Sequence, residues 1–134
     1  MIPQRVHLVG IGGAGLSGMA RILRARGHEV SGSDQADSPV LRELEREGVR
    51  VFRGHAAAHV GEAELVLVSS AIPPGNPEVA EAQRRGVPVV KRSEVLGDLI
   101  GSQRTVAVAG THGKTTTTAL IALTLLEAGL DPSF

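Results

Sequence analysis

The sequence runs to 134 residues, enough for one domain with a real core but not for two complete nucleotide-binding domains. Its 14 basic and 14 acidic residues cancel and form no Lys/Arg run, so the expected partners are small molecules, with no nucleic acid and no anionic membrane surface. The absence of cysteine excludes a disulfide, a thiolate metal site and a cysteine nucleophile. The N-terminal apolar run is short and broken by His7 and glycines, unlike a secretory signal, and no stretch approaches the ~20 apolar residues of a membrane span. A cytoplasmic protein without membrane insertion is expected.

Strand-like apolar runs alternate with helix-like segments, the mark of an α/β fold: a Rossmann-like parallel sheet with helices on both faces. The first strand is expected at Val6–Val9. A helix follows in which Leu16, Met19, Ala20 and Leu23 share a face and Gly27 is the stop. Further strands are expected at Glu29–Ser31, Val49–Phe52, Leu65–Ser69 and Val87–Val90. Ser38-Pro39 and Asn76-Pro77 each read as an N-cap with proline at the first helical position, opening helices over 39–47 and 77–85. A short helix is expected from Ser93. The last unit should be a strand at Thr105–Ala109, a loop over 110–114 and a helix over 115–128 stopped by Gly129, with a hinge at Ser102-Gln103 before it.

One strand and one helix cannot enclose a core, so Leu120, Ile121, Leu123, Leu125 and Leu126 need partners from elsewhere. The expected organisation is therefore a domain over 1–101 and, over 102–134, the opening of a truncated P-loop-type domain. The leucine face of 115–128 is expected either to fray or to self-associate with a second molecule.

Glycine, at 17 residues, is well above its usual ~7 per cent share, and the glycines cluster. Gly10-Ile11-Gly12-Gly13-Ala14-Gly15 fits GxGxxG between a strand and a helix, the setting in which it binds dinucleotide-type ligands. Such glycines let the backbone approach a diphosphate, which meets free N–H groups at the positive helix end. Asp34 follows the second strand, where an acidic residue accepts hydrogen bonds from ribose hydroxyls. The motif leaves NAD, FAD and UDP-sugars open. Ser69 and Ser70, after the fourth strand, stand where open α/β sheets bind ligands, and His55 after the third strand is a weaker candidate. His7, His28 and His59 share no ligand spacing and read as structural.

Gly110-Thr111-His112-Gly113-Lys114-Thr115-Thr116 reads as a phosphate loop for ATP. Its N–H groups would cradle phosphates, Lys114 would neutralise the β/γ charge, and the Thr115 hydroxyl would join the shell of a Mg²⁺ ion. Val108 stands where the general GxxxxGK[ST] pattern has its first glycine. Only Lys91 and Lys114 are lysines among the 14 basic residues, so a lysine at this spot is notable.

VGIGGAGLSGMA (9–20), VSGSD (30–34), SSAIPPGNPEV (69–79) and the stretch from TVAVAGTHGKTTT to GLDPSF (105–134), in that order, resemble the ATP-dependent Mur ligases of peptidoglycan synthesis. Within them, GIGGAGLSG is closer to the L-alanine-adding branch than to the sister branch that recycles murein tripeptide. The family's own loop is GT[HN]GK[ST]T, so Val108 departs only from the general pattern. The resemblance implies a three-domain enzyme that phosphorylates the lactyl carboxylate of UDP-N-acetylmuramate with ATP. The acyl phosphate is then attacked by the amine of L-alanine. It assigns Gly10, Gly12, Gly13, Ala14, Gly15, Asp34, His55, Ser69 and Ser70 to the UDP-sugar. Gly110, Thr111, His112, Gly113, Lys114, Thr115 and Thr116 go to ATP, with Lys114 catalytic and Thr115 on the metal. With most of the enzyme missing, 134 residues alone are expected to be inactive. A nicotinamide-dependent oxidoreductase leaves the second loop unexplained, and a non-catalytic nucleotide sensor needs an ATP-binding core that the sequence does not contain.

Overall fold

The computed structural model describes residues 1–101 and 104–132. The hinge expected at Ser102-Gln103 and the final two residues of GLDPSF lie outside them. The chain forms two compact units, Met1–Ser102 and Gln103–Phe134.

The first unit is built on a five-stranded, wholly parallel sheet: β1 (Arg5–Val9), β2 (Glu29–Asp34), β3 (Arg50–Arg53), β4 (Leu65–Val68) and β5 (Val89–Lys91), in the order β3-β2-β1-β4-β5. Alternation along β1 sends Val6 and Leu8 to one face and His7 and Val9 to the other. The first face packs α1 (Ala14–Ala25), α2 (Pro39–Arg46) and α4 (Arg92–Ile100) through Leu16, Leu23, Leu41, Leu44, Val95 and Leu99. The second face packs α3 (Pro77–Arg84) and a 3-10 turn at Ala57–Val60 through Val60, Val66 and Ala82. The Rossmann-like sheet with helices on both faces is the expected one.

The proline-led helices begin as the sequence indicates. Ser38 Oγ accepts the Leu41 N–H at 3.4 Å, and Asn76 Oδ1 accepts those of Glu78 and Val79 at 2.9 and 3.3 Å. β2 runs three residues further than expected, because Gly32, Ser33 and Asp34, poor strand formers by composition, pair with β1 and β3. The strand order reverses between β1 and β4, so the crevice at their C-terminal ends is the topological switch point, where such sheets bind ligands.

In the second unit a helix, α5 (Lys114–Glu127), is present, but the strand expected at Thr105–Ala109 is not: residues 104–109 have no regular secondary structure. A strand exists only through ladder pairing, and apolar composition cannot supply the neighbour. Leu120, Leu123 and Leu126 of α5 are 61, 57 and 47% exposed. No helix of the described residues is long and apolar enough to cross a membrane.

Candidate functional site

At the switch point the chain leaves β1 through Gly10, whose φ of +87° is open to glycine at little cost. The N–H groups of Gly10 and Ile11 both donate to the Ser33 carbonyl, at 2.8 and 3.0 Å. That of Gly12 donates to Asp34 Oδ2 at 2.8 Å, and that of Gly13 to the Gly10 carbonyl at 3.2 Å. Ala14 and Gly15 open α1, and among the described residues their N–H groups meet no acceptor. Gly13 gives α1 no side-chain cap, and its first turn has no acidic residue. Two unused donors at a positive helix end suit an anion. The loop residues assigned to the diphosphate thus divide: Gly10, Gly12 and Gly13 shape the turn with their own N–H groups, while Ala14 and Gly15 leave theirs outward.

Asp34 braces this turn. A Cβ on Gly12 would stand 2.9 Å from Asp34 Oδ2, so the glycine is needed for the carboxylate to reach the backbone. Asp34 Oδ1 accepts the Ala36 N–H at 3.2 Å, and each carboxylate oxygen keeps a lone pair for a hydroxyl. Ser69 sits against the same turn: its N–H donates to the Val9 carbonyl at 3.1 Å, and its Cβ is 3.1 Å from where a Gly10 Cβ would lie. Ser70 is exposed and forms no hydrogen bond among the described residues. Sequence reasoning missed Arg92. Its side chain lies on Gly15, where a Cβ would come within 2.7 Å of Arg92 Cζ, and among the described residues it has no hydrogen bond or ion pair. The signal was available, since Arg92 directly follows β5 at the same edge of the sheet as Ser69.

His55 follows β3 and turns into a buried polar cluster around Glu78, the second residue of α3. Glu78 is fully buried. Its Oε2 accepts from His7 Nε2 at 3.0 Å and Ser33 Oγ at 2.6 Å; its Oε1 accepts from His59 Nδ1 and the Ala56 N–H, both at 3.1 Å, and from His55 Nδ1 at 3.4 Å. Burial opposes its charge, but the hydrogen bonds from His7, Ser33 and His59 prevail and hold its pKa near 2, at about 2 against an ordinary 4.5. The His59 ring stacks on Phe52 with centroids 4.3 Å apart. His7 and His59, expected to be structural, meet with His55 at one carboxylate that the sequence reading did not single out.

The second unit carries the other loop by itself. Gly113 is left-handed (φ +78°) and caps α5, whose first intrahelical acceptor is the Gly113 carbonyl, bonded by the Thr117 N–H at 2.9 Å. Among the described residues the N–H groups of 110–116 meet no acceptor. Lys114 Nζ donates to the Gly110 carbonyl at 2.7 Å, so its ammonium folds over the loop. His112 Nδ1 lies 3.1 Å from the neighbouring Thr111 Oγ1. Successive unused N–H groups beside an ammonium fit phosphate oxygens. The Thr115 hydroxyl could supply one metal ligand; no group of three His, Asp or Glu able to hold a metal occurs among the described residues.

Residues 5–104 match the family described as the Mur ligase family, catalytic domain. The chain belongs to the Mur ligase family. Among its family relatives are the UDP-N-acetylmuramate--L-alanine ligases of Rubrobacter xylanophilus, 53% identical over 97% of this chain, and of a Nocardioides species, 55% identical over 97%. The chain spans 29% of the length of each. Two Mur ligase crystal structures superpose closely. The UDP-N-acetylmuramate-alanine ligase of Thermotoga maritima gives a TM-score of 0.87 at 34% identity, covering 91% of this chain and 29% of that one. The murein peptide ligase of Psychrobacter arcticus gives 0.89 at 35%, covering 95% and 27%. Outside the Mur ligases, the D-lactate dehydrogenase of Escherichia coli shares the fold, with a TM-score of 0.51 at 18% identity over 97% of this chain and 52% of that one.

Proposed function

We propose that residues 1–101 bind the UDP moiety of UDP-N-acetylmuramate, and that 102–134 open the ATP-binding domain of a cytoplasmic ligase joining L-alanine to that substrate in peptidoglycan synthesis. The observation that carries the reading is the 53% identity to a ligase of that name across 97% of this chain, a span that includes both loops. The solved alanine ligase and murein peptide ligase are about equally similar to the chain, at 34% and 35% identity, so the choice between them rests on the curated alanine-ligase relatives.

In this reading the diphosphate sits on the N–H groups of Ala14 and Gly15, beside Ser69 and Ser70 and under the Arg92 guanidinium. Asp34 and His55 serve the nucleoside end. The N–H groups of 110–116 hold the ATP phosphates. Lys114 moves from the Gly110 carbonyl to the transferring phosphoryl group, where charge stabilisation is the main catalytic demand. Mg²⁺, with Thr115 as one ligand, would offset phosphate charge. The phosphoryl group passes from ATP to the lactyl carboxylate, and the L-alanine amine then displaces phosphate from the acyl phosphate to leave an amide. Self-association through the exposed leucines of α5 is part of the proposal and is read by sedimentation of the chain.

A nicotinamide enzyme shares the fold and the first loop but leaves 110–116 without a role. Calorimetric titration of the 134-residue chain with UDP and with NAD decides between them. Binding of UDP in preference to NAD is expected; tight NAD binding with no response to UDP would overturn the assignment.

A further inference from the structure

The cluster around Glu78 constrains where hydrogens lie, and the constraint reaches the surface at two residues, His55 and His59, of which His55 follows β3 at the end of the sheet where Asp34 lies. An ionised carboxylate only accepts hydrogen bonds. Ser33 has a single hydroxyl hydrogen and commits it to Glu78 Oε2 at 2.6 Å, so towards His55 Nδ1, 3.1 Å away, its oxygen can only accept. The other neighbour of that nitrogen is Glu78 Oε1 at 3.4 Å, again an acceptor. His55 Nδ1 must therefore carry a hydrogen. In the neutral ring Nε2 is then left with a lone pair. Among the described residues that nitrogen forms no hydrogen bond, and the side chain remains 17% exposed. The Ala56 N–H, donating to the same Oε1 at 3.1 Å, pins the backbone next to the ring. The other titratable groups on Glu78 are His7 from β1 and His59 from the 3-10 turn, and both donate to it as well.

We propose that Glu78, with Ser33, is a positioning residue that holds His55 as the Nδ1–H tautomer, so that His55 Nε2 accepts a hydrogen bond from a ribose hydroxyl or imide N–H of the bound nucleotide. The inference rests on the UDP reading of the site and sharpens it. A lone pair on Nε2 cannot bond a phosphate oxygen, so His55 reads the nucleoside rather than the diphosphate. Glu78 touches no ligand and acts only through His55.

The experiment uses the 134-residue chain labelled with ¹⁵N-histidine. Long-range ¹H–¹⁵N spectra should show His55 as Nδ1–H, and the tautomer balance should shift in Ser33→Ala and in Glu78→Gln. Should Glu78→Gln fail to fold, Ser33→Ala and the unmodified spectrum carry the test. His55→Phe is expected to weaken UDP about three- to tenfold, the usual worth of one such bond, and to leave inorganic pyrophosphate binding unchanged. His55→Gln, which keeps an acceptor oxygen near the Nε2 position, should restore most of the UDP affinity. A neutral His55 carrying its hydrogen on Nε2, or UDP binding indifferent to His55→Phe, would overturn the proposal while leaving the UDP reading intact. No UDP binding by the unmodified chain would overturn both.

Discussion

Acid should remove a defined amount of stability from this chain through a single buried group, Glu78. Its carboxyl titrates at about 2 in the folded protein against an ordinary 4.5. At about 1.4 kcal/mol per pH unit, that difference is worth about 3 kcal/mol. Because the folded pKa is the depressed one, the stabilisation is complete above pH 4.5 and is lost as pH falls from there towards 2. Against a typical domain stability of about 5–15 kcal/mol this is a large share. Glu78→Gln removes the titration and leaves one acceptor oxygen where two served five donors, so its stability at pH 7 should be lower by roughly the same 3 kcal/mol. Urea unfolding of both proteins at pH 7, 4.5, 3 and 2, followed by circular dichroism, measures the gap. Glu45 and Glu81, whose pKa values are lowered by the exposed Arg53 and Arg84, occur in both proteins and cancel in the difference. The gap should hold from pH 7 to 4.5 and close towards pH 2. A gap that stayed constant down to pH 2 would refute the reasoning.

The other predictions concern the two loops. Gly12→Val should drive Asp34 away from the turn, since the first added atom lands 2.9 Å from Oδ2; UDP affinity should fall tenfold or more while the melting temperature drops only a few degrees, the cost of about one hydrogen bond. Equal UDP binding by variant and parent would remove the loop from the site. Arg92→Ala should leave the melt unchanged, the side chain being exposed, yet weaken UDP by about tenfold, the worth of one charge-assisted contact; an unchanged titration would show that the guanidinium does not reach the diphosphate. If the proposed function holds, Lys114→Ala in a full-length protein carrying this chain is expected to abolish ATP-dependent phosphate release with UDP-substrate binding nearly intact, and loss of both together would mean that the loops do not act on separate ligands.

What the sequence determined by itself is what depends on near neighbours in the chain. Helix starts at Ser38-Pro39 and Asn76-Pro77, the stop at Gly27 and the alternation of apolar runs with amphipathic segments are local signals, and they were enough for a parallel sheet covered on both faces. The glycine turn after β1 and the turn before α5 were legible for the same reason, because a turn that leaves backbone N–H groups free at a helix start is encoded in a few consecutive residues. Tertiary structure decided everything that depends on a distant partner. Thr105–Ala109 has strand composition but forms no strand, since pairing is a property of two segments. β2 extends through Gly32 and Ser33 because neighbouring strands hold them, and Ser33 can be buried because Glu78, 45 residues on, accepts its hydrogen bond. Glu78 itself reads in the sequence as an ordinary first-turn acid of a helix. Only the fold brings His7, 71 residues away, and His55 and His59 onto its two oxygens, and only then does the carboxylate become a buried charge that fixes where its neighbours carry their hydrogens.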